Sequence, residues 1–287
     1  MNWSKAKTIL IIVFLIADIF LFYVSFGNDI INTGEEDIAK VLEYLKSHNI
    51  TIKGTIPGKG NPASLLYVKY KVFGIEEAKE VFFNSDDNII VKESEEKVLL
   101  ENDVILLELH SNGEIFYLDK RLNNKGNIAA DEGKVSKNIE SFLRLLNINL
   151  DEAVMIKKDA KDNYIKLKYI QSYKNRFLDK TYVEIKALDD GISYAKVLWF
   201  ESVENGKTKN EVISPIKALL KLSELYGDEN AEVIVDEVTQ GYYFSYSMEK
   251  TFEVRSVIEG NAIPVWRITT NVGNVYINGY NGTVEEN

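Results

Sequence analysis

The hydrophobic positions of this chain follow three different rhythms. Residues 8–26 (TILIIVFLIADIFLFYVSF) are almost unbroken apolarity: fourteen of the nineteen are Ile, Leu, Val or Phe, and one, Asp18 near the midpoint, is charged. At helical rise this stretch is about 28 Å long, close to the roughly 30 Å hydrocarbon core of a bilayer. Its apolar side chains favour insertion by about 6 kcal/mol in sum, against about 3 kcal/mol for a central acid, so the pattern predicts a transmembrane helix. Lys5 and Lys7 precede it, and Asp29, Glu35, Glu36 and Asp37 follow it. That asymmetry leaves residues 1–7 as a cytoplasmic stub and exports everything after about Gly27. A cleaved signal peptide is the competing reading, with Ser25-Phe26-Gly27 as a weak small-x-small site, but a signal core is ordinarily about 7–15 residues long.

The second rhythm has the helical period and occurs three times. Thr33 and Glu36 form a capping box ahead of Ile38, Val41, Leu42 and Leu45, spaced as one face of a helix. Ser136 opens a second helix with Ile139, Phe142, Leu143 and Leu146 on one face. The third has the clearest punctuation, with Ser214 as N-cap, Pro215 at the first helical position and Gly227 just past the end,.

The third rhythm is alternation, and it fills the intervals. Strands are predicted at 65–72, 88–92, 96–100 and 103–109, then EIFYLDK after a turn at Ser111-Asn112-Gly113. YIKLKYIQSY, TYVEIKAL and ISYAKVLWF follow the second helix, the last two joined by Asp189-Asp190-Gly191, a hairpin signal,. AEVIVDEV, GYYFSYSM, AIPVWRITT and NVYINGY close the chain. Strand connections are too short for helical crossovers. The expected fold class is therefore α+β: an N-terminal transmembrane helix, then antiparallel sheets each backed by a helix. The charged stretch 121–134 is the best boundary. It divides a membrane-proximal domain, 27–130, from a C-terminal domain, 131–287, made of two helix-plus-strands units.

Charge and cysteine content narrow the function. The net charge is −10 and there is no cysteine. Lys5 and Lys7 against Asp18 leave +1 in residues 1–26, so the remainder carries −11. An acidic body without a basic tract argues against nucleic acid. Without disulfides or a lipidated cysteine, burial must stabilise the body and the helix must anchor it.

Catalytic and metal constellations are not visible, and no cofactor is expected. His48 lies at a predicted helix end and His110 at a strand end, neither with an HxH or HxxxH partner,. No GxSxG, SxxK or HExxH occurs,. The glycines of GTIPGKGNP (54–62) lack the GxxxxGK[ST] spacing and read as a connector,. Asp86-Asp87 and Asp189-Asp190 sit beside Asn or Gly, where turn chemistry explains them,. Two features remain. An intramembrane acid is costly and ordinarily faces a partner; Ile11, Phe14, Leu15, Leu21, Phe22 and Ser25 share the helical face of Asp18,. The other is the strand bearing Pro264, Trp266 and Arg267, where alternation predicts Trp266 in the core and Arg267 exposed,.

The two ends of the chain together, NWSKAKTILIIVFLIADIFLFY and IPVWRITTNVGNVYINGYNGTVE, with GYYFSYSM just upstream of the latter, resemble the signature segments of the YycI family. The resemblance implies a non-enzymatic membrane protein of low-GC Gram-positive bacteria. With a YycH-like partner it would adjust the YycG (WalK) histidine kinase of cell-wall homeostasis, as an inhibitor in some species and an activator in others. It also implies kinase contact through the membrane helix and no catalytic residues. The alternatives are a ligand-binding sensor with a PepSY-like body and an anchored cell-wall enzyme.

Overall fold

In the computed structural model the described residues are 35–85, 87–122, 131–161, 164–227, 232–244 and 258–285, together with Phe14. Among them no helix is long and apolar enough to cross a membrane. The predicted span 8–26 lies outside the described residues except for Phe14, which is helical and exposed.

Among the described residues from Glu35 onwards, four α-helices and sixteen strands follow in chain order: α1 (Glu35–Ser47), β1 (Ile50–Ile52), β2 (Leu66–Tyr70), α2 (Ile75–Phe82), β3 (Ile90–Glu93), β4 (Lys97–Glu101), β5 (Ile105–His110), β6 (Ile115–Asp119), α3 (Glu132–Leu145), β7 (Ala153–Lys161), β8 (Tyr164–Tyr173), β9 (Arg176–Leu178), β10 (Tyr182–Leu188), β11 (Gly191–Leu198), β12 (Phe200–Asn205), α4 (Pro215–Tyr226), β13 (Val233–Tyr243), β14 (Glu259–Thr270), β15 (Gly273–Asn278) and β16 (Val284–Glu285). The α+β class is as expected.

One wing of the sheet runs β7-β8-β10-β11-β6-β5-β4-β3 and is antiparallel throughout. Alternation explains its faces: in β8 Ile165 and Leu167 point into the core while Lys166 and Lys168 point out, the period-two pattern of a half-buried strand. On its inner face α3 packs against β10 and β11 with Val135, Ile139, Phe142 and Leu143 buried. The α3 N-cap is Asp131, which accepts from Gly133 N at 2.9 Å and Lys134 N at 3.3 Å. Ser136 therefore lies inside the helix, a correction to the predicted start: the aspartate supplies the earlier cap. Helix α2 (IEEAKEVF) was not expected from the sequence pattern, because only Ala78 and Phe82 of its eight residues are buried.

The other wing holds β12-β2-β14-β13, with β15 on β14, β16 on β15, and β1 on β13. Its core joins Leu45 of α1 to Ile216, Leu219 and Leu222 of α4, and to Trp266 and Ile268 of β14. The expectation of purely antiparallel sheets, one helix to each, needs correcting here. Strands β1 and β9 both pair parallel with β13, because each reaches its partner from a remote part of the chain and not through a hairpin. The wings meet at β8, whose last residues turn into β9. Each wing draws strands from both sides of residues 123–130: β2 pairs with β12 and β14, and β6 with β11.

Candidate functional site

Strand β14 is the centre of the second wing, with β13 along one side and β2 followed by β15 along the other. Proline is ordinarily excluded from a central strand because it cannot donate to the ladder. Pro264 escapes that cost by position. The β2 pairing ends at Ala262 and the β15 pairing begins at Val265. The Pro264 carbonyl faces the β15 side and accepts from Gly279 N at 2.7 Å, so the missing N–H falls in the gap between two partners. Trp266, two residues on, points into the core at 1% exposure. Its indole Nε1 donates to the Ile213 carbonyl at 2.9 Å, fixing the segment that enters α4. Trp266 is core, as alternation predicts.

Arg267 is not exposed as predicted; 18% of its side chain is accessible. The reverse face of β14 is covered too, by a small cluster of Phe177, Tyr243, Val265 and Tyr276. The Arg267 guanidinium lies over the Phe177 ring, 4.1 Å from its centroid, with Glu237 at 3.8 Å. Its Nε is buried without a hydrogen-bond partner among the described residues, so the ring face carries much of the cation's contact. Phe177 is seated in turn on Gly241, where a Cβ would meet ring carbons at 2.3 Å. Only glycine fits beneath that ring. Just past β9, Asp179 accepts from the Tyr276 hydroxyl at 2.7 Å. Burial pushes the Asp179 carboxyl above the usual carboxylate range, although Tyr276, Lys180 and Arg267 act the other way. Burial and then the neighbouring carboxylate push the Tyr276 phenol up in turn. The cluster clamps β9, β13, β14 and β15 together.

Of the other residues singled out from sequence, Ile11, Leu15, Asp18, Leu21, Phe22 and Ser25 lie outside the described residues. His48 lies just past the end of α1, its Nδ1 2.9 Å from the Tyr44 carbonyl. His110 ends β5 and pairs through Nε2 with Glu108 at 3.0 Å. The connector 54–62 is tied down by reciprocal bonds between Asn61 and Gln240. Asp87 accepts from Asn84 N at 2.9 Å, a turn contact, whereas Asp189 accepts from Asp131 N at 2.7 Å and ties the β10–β11 turn to the start of α3. Among the described residues no group of three or more His, Cys, Asp or Glu side chains is placed to hold a metal. Phe177, Asp179 and Gly241 were not singled out from sequence. The nearest signal was the tyrosine-rich GYYF, which marks the aromatic lining but not its partner.

These features define an α+β sheet domain in which the cluster around Arg267 and Asp179 ties four strands together. The chain belongs to the YycI family: the family described as YycI protein matches residues 28–280. This is a family of regulatory accessory proteins, associated with a two-component histidine-kinase system. No curated protein matches the chain. Among solved structures it is similar to an uncharacterized protein from Eubacterium rectale ATCC 33656, with 12% identity and a TM-score of 0.48 over 83% of this chain and 91% of that one. It is also similar to the Bacillus megaterium YpeB C-terminal domain, with 14% identity and a TM-score of 0.36 over 75% and 97% of the two chains.

Proposed function

We propose that this protein is a membrane-anchored accessory regulator of a cell-wall-sensing histidine kinase of the YycG/WalK type, working beside a YycH-like partner. The observation that carries the reading is the family match across residues 28–280, which begins directly after the apolar segment 8–26. That segment supplies the anchor, with the N-terminus in the cytoplasm and the body outside the cell. It also supplies the means of contact. Lipid tails are as apolar as leucine, so apolar side chains alone give helices little reason to associate, and a polar group hydrogen-bonding across an interface contributes about 0.6–2 kcal/mol. Asp18, flanked by Phe14, Leu15, Leu21 and Phe22, is that group. A contribution of this size moves a two-state kinase equilibrium roughly 3- to 30-fold.

Asp18→Leu tests the proposal. The variant is expected to insert at least as well as the parent, to co-purify less kinase from membranes, and to alter output of the kinase's regulon. Replacing Leu10 or Ile16, on other faces, is expected to have a smaller effect. Unchanged association and unchanged output in Asp18→Leu would remove the membrane contact from the mechanism. N-terminal sequencing of the mature chain checks the anchor itself: a start near Asn28 would refute it.

A further inference from the structure

The place where β8 turns into β9 is also the wall of a cleft of about 170 Å³, lined by Ser64, Tyr173, Lys174, Arg176, Lys209 and Tyr242, with Asn205 at its edge. Its chemistry is opposite to that of the molecule. The chain carries a net charge of −10, yet three cations and no carboxylate line this cleft. None of the three has an acidic partner among the described residues, whereas Lys69, Lys97, Lys120, Lys158 and Lys166 all do.

Two of the cations are presented by a tight turn. Lys174 and Asn175 form a two-residue connection between β8 and β9, both left-handed, at φ 50° and 63°, with Tyr173 and Arg176 paired across it. Glycine or asparagine suits the first of these positions better than lysine does, so a cation is held where the turn alone would not select one. Arg176 is set by its Nη1, which donates to the Tyr242 hydroxyl at 3.3 Å, and Lys174 Nζ lies 4.8 Å from the centre of the Tyr173 ring. Elsewhere in the lining, Ser64 is buried and donates to Asn205 Oδ1 at 2.8 Å, and a bridge between Ala63 and Asn210 holds the segment that carries Lys209.

We propose that this cleft binds an oxyanion, a carboxylate or phosphate borne on a small molecule. The guanidinium offers the planar fork that such groups accept two bonds from, and the lysines add point charge. The volume suits a group of about the size of benzene. Lys174 and Lys209 are exposed, so the attraction is screened by salt and the affinity is modest. This site is independent of the membrane contact proposed above, and the failure of either leaves the other standing.

Calorimetric titration of the full chain in detergent micelles with pyrophosphate and, separately, with citrate tests the site and tells phosphate from carboxylate. At least one probe is expected to bind saturably. Binding is expected to weaken at least threefold on raising added salt from 50 to 300 mM. It is also expected to weaken at least threefold in Lys209→Glu, whose exposed side chain is not needed for folding, and tenfold or more in Lys174→Glu/Lys209→Glu. A parent chain that binds neither probe, or binding that survives both variants unchanged, overturns the assignment.

Discussion

Gly241 and Phe177 illustrate how one residue's absence of a side chain decides where another goes. The ring lies where a Cβ at 241 would be, and Arg267 then lies on the ring. Gly241→Ala is expected to cost about 1–3 kcal/mol as an overpacking change. The same substitution in a Phe177→Leu background is expected to cost less, because the two share one contact. Denaturant melts of the four chains check this, and additive losses would show that the collision relaxes elsewhere. Asp179 makes the other residue-scale prediction. Its folded carboxyl titrates above the ordinary value of 3.8, so above that value the folded state holds more protons than the unfolded one. Stability from this group then falls as pH rises through the window up to the folded pKa. Asp179→Asn keeps an acceptor for Tyr276 and removes the titration. The variant is expected to melt higher than the parent at pH 7, with the gain gone at pH 3. A loss at pH 7 would mean that ionised Asp179 is a net stabilising partner for Arg267.

At the scale of elements, helix α4 is where local signals and tertiary packing agree. Ser214 accepts from Lys217 N, Pro215 occupies the first turn and Gly227 sits at the C-cap. One face, Ile216, Ala218, Leu219 and Leu222, is buried against α1 and β14. Ser214→Ala leaves the face intact and removes the cap, for an expected loss of about 1 kcal/mol. In a domain of this size that is a fall of roughly 2–4 °C in melting temperature, read by circular dichroism; no change would mean that the packed face alone sets the helix start. Helix α2 shows the reverse case. Its two buried residues, Ala78 and Phe82, are one turn apart, too few for a stripe to stand out, and the wing built from β3 to β6 completes its surroundings. Strand β13 shows a third. AEVIVDEV and GYYF read as two strands, but Thr239 and Gln240 between them pair with Arg267 and Trp266, so β14 carries the ladder straight through.

For the whole molecule, the interleaving of the chain matters more than the size of either core. The strands before residue 122 are shared between the wings, and so are those after 131, while β8 and β9 join one wing to the other. Each core takes residues from both sides of residues 123–130. The body from about residue 29 is therefore expected to unfold in one cooperative calorimetric transition, with no disulfide to help it. Two resolved transitions would show that the wings are separate folding units.

The periodicities and local signals alone determined the α+β class, the caps of α4, the turn at Asp189-Asp190-Gly191, and the burial of Trp266. Each depends on residues within a few positions of one another, where backbone preference and side-chain period act directly. They also mark residues 8–26 as an almost unbroken apolar run, since that depends on a sum over consecutive residues. Tertiary structure decided the rest. It covered Arg267, because a strand buried on both faces does not obey a two-face rule. It placed Pro264 at a change of partners, aligned β1 and β9 parallel to β13, and gathered Lys174, Arg176 and Lys209 into one cleft. Those outcomes depend on which remote segments meet, and local periodicity carries no record of the meeting.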